Sequence, residues 1–199
     1  MTSREEIIQK FIKNKNILDI GCVSDKTESN YKFAGLHKFL LKNTKNVLGI
    51  DINEKGVNYL KKKGYNIIKG NAENFKLNKK FEVIVAGELI EHLSNPGLFL
   101  DTTNNHLKEN GCLILTTPNA FGLRYYLRRI LNILNVNKDH VLWHDEKTIM
   151  QLLKRHQFKV IKLKYTYDDY ITINSKIERF LCFYKKLRPQ LTVIAIKNN

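Results

Sequence analysis

Three side chains that can bind a metal ion or move a proton lie close together in the segment GELIEHLSNP, namely Glu88, Glu91 and His92. If a helix begins here, spacings of three and four residues place all three side chains on one face. Two carboxylates and an imidazole on one face suit a divalent cation. The same pattern suits a solvated helix start, where acidic side chains are favourable, and His92 alone could act as a general base. The residues by themselves leave these three interpretations open.

A second set of candidate residues lies where four short apolar segments end. Gly21 permits a tight turn and the close approach of a ligand, and Asp19 just before it can accept hydrogen bonds from a cationic amine. Asp51 can bind both hydroxyls of a ribose, and Asn71 can recognise the amino group of an adenine. The fourth segment runs into Gly87. Because ligands bind at the carboxyl ends of strands in doubly wound sheets, the pattern predicts a nucleotide site.

The segments that must position these residues alternate between short apolar runs and amphipathic stretches. The runs are aliphatic or β-branched and lack polar alternation, as in parallel strands that helices cover on both faces. The alternation predicts an α/β fold, with a Rossmann-like doubly wound seven-stranded sheet that is mostly parallel and has an antiparallel C-terminal strand. The predicted strands are residues 16–20, 47–50, 66–69, 81–86, 113–116, 158–167 and 191–197.

The amphipathic stretches predict helices between these strands, and the chain contains no linker, repeat or low-complexity segment. Residues 1–199 are therefore predicted to form a single domain. Asp145 is a suitable N-cap for one of the helices. The predicted helices are residues 1–13, 31–41, 54–63, 97–107, 121–134, 145–157 and 171–186.

The composition fits one globular domain, since 199 residues is about one domain's length and 43% of them are hydrophobic. No apolar run approaches the roughly 20 residues that cross a bilayer, and the N-terminal segment lacks the apolar stretch of a signal peptide. We therefore expect a cytoplasmic protein. The net charge of +15 can steer phosphate-bearing partners, although lysine is spread along the whole chain. Cys22, Cys112 and Cys182 lack metal-type spacing and are expected to be buried free thiols.

Two segments in the second half of the chain are candidates for contact with a substrate. Residues 116–119 (TTPN) follow the fifth predicted strand. They are expected to border a pocket for the substrate. The predicted helix at 121–134 carries Arg124, Arg128 and Arg129 beside two tyrosines. Such a helix can bind phosphate on an RNA or on a lipid-linked sugar, or rest on a membrane surface. A lid helix with solvated arginines is the simpler interpretation.

The strings ILDIGC, GIDIN, GNAENF, FEVIVAGELIEHLSNPGLFL and GCLILTTPN together resemble the class I S-adenosylmethionine-dependent methyltransferases. The resemblance covers roughly residues 17–158 and is closest to the branch that holds the ubiquinone-type O-methyltransferases and many glycan methyltransferases. It implies S-adenosylmethionine as the cofactor. It also implies that Asp19 and Gly21 flank the methionine part, Asp51 with its neighbour Ile52 holds the ribose, Asn71 and Ala72 contact the adenine, and Gly87 lies beside the sulfonium.

The same resemblance bears on the metal. Small-RNA 2′-O-methyltransferases and some ubiquinone-type relatives carry a Glu-x-x-Glu-His segment that binds magnesium or manganese, and the RNA enzymes add a histidine from a downstream Asp-His segment followed by Trp. This chain has Asp139 and His140 in that position, with Trp143 close behind. The resemblance therefore implies Mg²⁺ or Mn²⁺. In a metal-free site, one of the two histidines acts as base or orienting group. The implied ligands are Glu88, Glu91, His92 and His140.

The chain departs from the family pattern in its glycine-rich loop and at the adenine position. Val23 and Asp25 stand where further glycines are usual, and the polar loop at residues 24–30 is longer than usual. Asn71 stands where the family usually has aspartate, and it can accept the same hydrogen bond without the charge.

Three functions follow as hypotheses. The first is O-methylation of a sugar, a glycan or another small hydroxyl acceptor, and it rests on the resemblance. The second is metal-dependent 2′-O-methylation of RNA ribose. The third is a non-catalytic binding protein on a degenerate methyltransferase fold, which the altered loop favours. The expected partners are accordingly a small-molecule or glycan acceptor, with RNA and peripheral membrane contact as alternatives.

Overall fold

A seven-stranded sheet forms the centre of the protein in the computed structural model, which describes residues 3–24, 32–133, 136–167 and 183–198. Apolar residues with both faces buried form its inner strands, as the run FEVIVA illustrates. The strands in chain order are β1 (Ile17–Ile20), β2 (Val23–Ser24), β3 (Lys32–Phe33), β4 (Val47–Asp51), β5 (Ile67–Lys69), β6 (Phe81–Gly87), β7 (Leu107–Pro118), β8 (Phe158–Thr166) and β9 (Gln190–Lys197).

The strand order in the sheet is β5-β4-β1-β6-β7-β9-β8. Neighbouring strands are parallel except for β9, which runs antiparallel to both β7 and β8. The predicted fold class, including the antiparallel C-terminal strand, is confirmed. The order brings the carboxyl ends of β1, β4, β5 and β6 side by side at one edge. β2 and β3 form a separate antiparallel pair that was absent from the prediction.

Helices cover both faces of the sheet, as alternation along β6 shows. Val83 and Val85 pack in one apolar cluster with residues of the first two helices, while Ile84 and Ala86 pack in another with residues of the fourth and sixth. The helices are α1 (Arg4–Ile12), α2 (Gly35–Asn43), α3 (Glu54–Lys62), α4 (Pro96–His106), α5 (Leu123–Ile130) and α6 (Glu146–Arg155).

Side-chain caps set several helix starts and so fix the loops that lead into them. The Ser3 hydroxyl caps α1, accepting from the Glu6 amide at 3.1 Å. Asp145 caps α6 in a reciprocal arrangement with Thr148, as its position in the sequence predicted. Asn95 caps α4, whose first residue is Pro96. This early start of α4 leaves room for only a short turn after the GELIEH segment.

Three of the predicted helices need correction or fall outside the described residues. The helix predicted at 31–41 begins at Gly35, because residues 32 and 33 belong to β3. The helix predicted at 121–134 is shorter and ends at Ile130, followed by Asn132 with a φ of 54°. The helix predicted at 171–186 lies mostly outside the described residues, and the part described is a short 3₁₀ turn, Lys185–Leu187.

Two of the three cysteines are buried free thiols, Cys22 and Cys112, as predicted, and Cys182 lies outside the described residues. No helix in the described ranges has the length and apolar character needed to cross a membrane. The prediction that residues 1–199 form one domain stays a prediction.

Candidate functional site

A cleft of about 650 Å³ opens at the carboxyl ends of β1, β4, β5 and β6, and we call it the strand-end cleft. Four acidic residues line it, and its lining contains no lysine or arginine among the residues that the structure describes. Most of the residues predicted to bind the cofactor reach its wall, because they lie at the ends of the strands or in the loops that follow. These are Gly21, Asp51, Ile52, Asn71 and Ala72.

Asp51 is held at the end of β4 by two backbone amides. Its Oδ2 accepts from the amide of Val23 and its Oδ1 from the amide of Asn53, each at 2.9 Å. These bonds connect the loop after β1 to the loop after β4 and fix the carboxylate at the cleft wall. The neighbouring Ile52 is 66% exposed and presents apolar surface on the same wall. A carboxylate beside an apolar surface suits a ribose that carries a flat base.

Asn71 and Ala72 form the wall after β5. The Asn71 Oδ1 accepts from the Glu73 amide at 2.9 Å, which holds the turn. A carbonyl oxygen has a second lone pair, so this atom can still accept from a ligand amine. Ala72 is buried in the cleft wall and packs against the core beneath it.

Gly21 turns the chain after β1 with a φ of 77°. A Cβ at this position would lie 3.1 Å from the Leu89 side chain, which also lines the cleft. Both the backbone angle and the close approach of Leu89 therefore favour glycine.

Two predicted cofactor residues lie behind the wall instead of on it. Asp19 is buried in β1, where its Oδ2 accepts from the His37 Nδ1 at 2.7 Å. Burial raises the pKa of this carboxyl, and the hydrogen bond from His37 opposes that shift. Gly87 does not line the cleft either, and a Cβ there would lie 2.5 Å from Leu36 of α2. Both residues therefore support the cleft wall from behind. His37 holds Asp19 in place, and no sequence signal indicated this contact.

Three of the four predicted metal ligands come together beside the cleft. Ligand atoms of Glu91, His92 and His140 lie within 4.8 Å of one another. Glu91 and His92 belong to a short 3₁₀ turn, Ile90–His92, and His92 also lines the strand-end cleft. We call these three residues the Glu91–His92–His140 cluster.

The backbone of Glu91 holds the downstream segment in place. Its carbonyl oxygen accepts from the amides of Val141 and Leu142, at 2.9 and 3.1 Å. The His92 Nδ1 lies 3.1 Å from the carbonyl oxygen of Asp139. The His92 and His140 rings meet edge to face, with centroids 4.5 Å apart. These contacts bring the Asp-His segment to the GELIEH segment, in agreement with the resemblance.

Burial dominates the electrostatics of the cluster. Glu91 is 1% exposed and its Oε2 accepts from the Thr117 hydroxyl at 3.0 Å. Burial raises the pKa of Glu91 well above its usual range, and the nearby Glu88 carboxylate raises it further. Burial also lowers the pKa of His140, and His92 adds to that shift. The Glu91 Oε1 and the His140 Nδ1 are buried and have no hydrogen-bond partner among the described residues.

Glu88 is outside this cluster, which corrects the expectation that it shares a helix face with Glu91 and His92. It has a φ of 51°, and its amide donates to the Thr116 carbonyl oxygen at 2.9 Å. Its Oε1 accepts from the Gln190 side chain at 3.0 Å. Because the backbone of Glu88 is left-handed, the chain forms a turn here instead of a helix. Glu88 therefore faces β9 as well as the strand-end cleft.

A second cleft of about 470 Å³ lies at the start of α6 and includes Asn119, Phe121 and Tyr165 in its lining. Of the TTPN segment, Asn119 reaches this cleft, and Thr117 supports Glu91 from behind. The neighbouring helix α5 buries none of its side chains, and Tyr126 and Ile130 are more than 60% exposed. Contact of α5 with a membrane stays a prediction.

A model of the methyltransferase domain matches residues 2–163, most of the chain. The chain belongs to the methyltransferase-domain family. It is 29% identical over 135 residues to the ubiquinone biosynthesis O-methyltransferase of Rickettsia canadensis (strain McKiel), covering 62% of this chain and 53% of that protein. The chain thus spans about half the length of that curated relative.

Solved structures support the same assignment at the level of the fold. A SAM-dependent methyltransferase from Archaeoglobus fulgidus superposes with a TM-score of 0.65 at 18% identity, covering 97% of this chain and 94% of that one. A Thermotoga maritima protein described as a SAM-dependent methyltransferase, possible histamine N-methyltransferase, has a TM-score of 0.68 at 15% identity, covering 98% and 88%. The chain is a class I, S-adenosylmethionine-dependent methyltransferase domain.

The strand-end cleft of this methyltransferase domain fits that cofactor. S-adenosylmethionine carries a sulfonium cation and an ammonium group, and the acids of the cleft include Asp51, Glu73 and Asp139. The Glu91–His92–His140 cluster likewise fits a divalent metal. It offers two buried ligand atoms that lack partners among the described residues, and one carboxylate with two imidazoles is a donor set that Mn²⁺ accepts readily and Mg²⁺ less so.

Proposed function

We propose that this methyltransferase domain transfers the methyl group of S-adenosylmethionine to a sugar hydroxyl, with the Glu91–His92–His140 cluster serving the acceptor. One observation carries the proposal. His92 lines the strand-end cleft and also belongs to the cluster, so the groups that can handle a hydroxyl proton adjoin the cleft that suits the cofactor.

The reaction is an in-line displacement at carbon. The acceptor oxygen forms a bond to the methyl carbon as the carbon–sulfur bond breaks, and the electron pair of that bond stays on sulfur. The sulfonium already activates the carbon, so the protein mainly has to position the oxygen and exclude water. An alcohol is a poor nucleophile near neutral pH, and it needs a group that accepts its proton as the new bond forms.

The hydrogen bonds of His92 suit it to that task. A carbonyl oxygen can only accept, so the 3.1 Å contact with the Asp139 carbonyl places the proton of a neutral His92 on Nδ1. The Nε2 of the same ring then carries the free lone pair and can accept the acceptor's proton. His140, edge to face with His92, holds that ring in place or takes the same role.

With a metal ion bound, the roles of these residues change. Glu91, His92 and His140 would then hold Mg²⁺ or Mn²⁺. A divalent cation held there would lower the pKa of an acceptor hydroxyl. The Thr117 hydroxyl, bonded to one oxygen of Glu91, leaves the other oxygen available for the ion.

A hydroxyl acceptor has support from the relatives. The curated relative acts in ubiquinone biosynthesis as an O-methyltransferase, which favours oxygen as the methylated atom. A glycan or another small hydroxyl compound remains the broader expectation. The ribose of RNA is the second candidate, and the place of His140 in the cluster favours it, since the resemblance to small-RNA 2′-O-methyltransferases predicted that histidine.

The test is transfer of a labelled methyl group to a panel of acceptors: free sugars, glycans, catechols and short RNAs. Each acceptor is assayed with EDTA, with Mg²⁺ and with Mn²⁺. We expect transfer to a sugar hydroxyl that Glu91→Gln and His92→Asn abolish. His156→Asn is the matched control, because that histidine pairs with Asp101 on the protein surface.

Four further outcomes are informative. Transfer that persists in EDTA would indicate that a histidine accepts the hydroxyl proton. Transfer that requires Mg²⁺ or Mn²⁺ would indicate that the cluster binds the metal. Binding of S-adenosylhomocysteine without transfer to any acceptor would favour a non-catalytic binding protein. Failure of the wild type to bind S-adenosylhomocysteine in a calorimetric titration would contradict the proposal altogether.

A further inference from the structure

A groove of about 790 Å³ lies between α1 and β8, at the far edge of the sheet from β5. Among the described residues that line it, six are cationic and one, Glu6, is acidic. We call it the basic groove. Its cationic residues are Lys10, Lys162, Lys164, Lys185, Lys186 and Arg188.

Much of this charge is not neutralised within the described part of the protein. Lys186 pairs with Glu146 at 3.2 Å, and an Arg188 guanidinium nitrogen donates to the Tyr165 carbonyl oxygen at 3.0 Å. Lys10, Lys164 and Lys185 are exposed and make no ion pair with any residue that the structure describes. Like charges held together repel, and an anionic ligand would relieve that repulsion.

The distribution of the cations indicates a chain of phosphates. They come from α1, from β8 and from the turn before β9, so they surround the groove from three sides instead of converging on one point. Single-stranded nucleic acid is recognised by a basic groove with an aromatic ring for base stacking. Tyr165 supplies a half-buried ring in this lining.

The lining does not suit a membrane surface. Binding to a bilayer requires exposed apolar side chains that enter the acyl region. The apolar residues here are Ile7, which is 3% exposed, and Leu163, which is half-buried. Phe183 and Tyr184, just before Lys185, are exposed, but they do not line the groove. A concave lysine surface whose own apolar residues are largely covered fits a polyanion in solution.

The groove is also placed to present a strand to the methyl-transfer site. The carboxyl end of β8 is at the same edge of the sheet as that of β6, three strands away, or about 14 Å at the usual strand spacing. Tyr165 and Lys186 line both the basic groove and the second cleft at the start of α6. A nucleic acid strand bound in the basic groove could therefore extend into the second cleft, at the start of α6.

We propose that the basic groove binds the phosphates of a single-stranded RNA and that a ribose of this RNA is the methyl acceptor. The choice of the ribose rests on the function proposed above, but the binding of the strand does not.

The test measures binding of a fluorescent oligoribonucleotide of about 12 nucleotides by anisotropy, at salt concentrations between about 50 and 200 mM. The variant K10Q/K164Q/K185Q removes three groove charges that have no described partner. The variant K45Q/K61Q/K62Q removes three exposed charges elsewhere, at the start of β4 and on α3. Each variant is checked for wild-type affinity toward S-adenosylhomocysteine.

We expect the groove variant to weaken RNA binding by at least about tenfold and to reduce the slope of log K against log salt by about two. The control variant should stay close to the wild type. Equal loss in both variants would assign the binding to net charge and overturn the proposal, as would no binding by the wild type. Anionic vesicles that displace the RNA through the same lysines would identify a membrane surface instead. RNA binding that is specific to the groove but without methyl transfer leaves the groove assigned and contradicts the proposed reaction.

Discussion

The strand-end cleft and the basic groove belong to one sheet but have opposite charge. Within the described ranges, the cleft is lined by Asp51, Glu73, Glu88 and Asp139 and by no lysine or arginine, whereas six cations line the groove. The chain as a whole carries a net charge of +15. In the described part of the chain, the excess of lysine therefore does not extend to the strand-end cleft, which suits a cationic cofactor. Local charge, not net charge, distinguishes the ligands of the two regions.

The largest expected effect concerns the acid behind the cleft wall. His37→Leu leaves the buried Asp19 without its partner, and breaking a buried pair costs about 3 to 5 kcal/mol of unfolding free energy. Burial raises the pKa of Asp19, so the folded variant holds the proton more tightly than the unfolded chain. Stability is therefore lost as pH rises above the ordinary carboxyl pKa through the raised one. Guanidinium unfolding at mildly acidic and at neutral pH should show a deficit that grows with pH.

An exposed pair of the same length is the control for that measurement. His156 donates to Asp101 at 2.7 Å, but the two side chains are 22% and 58% exposed. His156→Leu should cost less than about 1 kcal/mol. Asp19→Asn in the His37→Leu background should recover part of the loss, because it removes the buried charge. A large loss without recovery would mean that His37 acts through packing alone.

The next largest effect is on cofactor binding, and it distinguishes Asp51 on the cleft wall from Asp19 behind it. If Asp51 binds both ribose hydroxyls as predicted, Asp51→Ala removes two charge-assisted bonds, each worth about 1.5 kcal/mol or more. Calorimetry should show that S-adenosylhomocysteine binds about 100-fold more weakly. Asp101→Ala, on the exposed surface of α4, should leave this affinity unchanged. Equal affinity in the wild type and Asp51→Ala would place the cofactor outside the strand-end cleft.

The parts that sequence predicts well have a repeating physical signal. β6 is recognisable because a buried parallel strand is apolar on both faces. Asp51 and Asn71 are recognisable because they lie at or just after the ends of the apolar segments that form β4 and β5. The pair β2–β3 has two residues in each strand, too few to show any periodicity. The GELIEH segment contains good helix spacing, yet a φ of 51° at Glu88 converts it into a 3₁₀ turn.

Contacts between distant residues explain the rest of what the sequence did not reveal. Gln190 donates to Glu88 across 102 positions, and His37 donates to Asp19 from a helix whose start was predicted too early. Neither partner lies in a local motif. Both became visible only when the sheet order placed β9 next to β7 and α2 above β1.

A smaller effect is expected from the turn that borders the cleft. Gly21 and Gly64 have φ values of 77° and 85°, so alanine at either position strains the backbone by roughly 1 to 2 kcal/mol. A Cβ on Gly21 would approach Leu89 at 3.1 Å, whereas a Cβ on Gly64 meets nothing within 4 Å. Both variants should lose a similar amount of thermal stability. Only Gly21→Ala should also bind S-adenosylhomocysteine more weakly, by about tenfold. Weaker binding in Gly64→Ala as well would attribute the effect to general destabilisation.

The smallest expected effect compares the two regions directly through salt. S-adenosylhomocysteine has no net charge, and the acids of the strand-end cleft act on it at short range, so its affinity should change less than about twofold between about 50 and 200 mM salt. Calorimetry at both concentrations measures this, with K10Q/K164Q/K185Q as the control that alters only the groove. RNA binding should fall steeply over the same range. If the affinity for S-adenosylhomocysteine fell as steeply, the strand-end cleft would also attract its ligand by long-range electrostatics. The two regions would then differ only in the strength of this attraction.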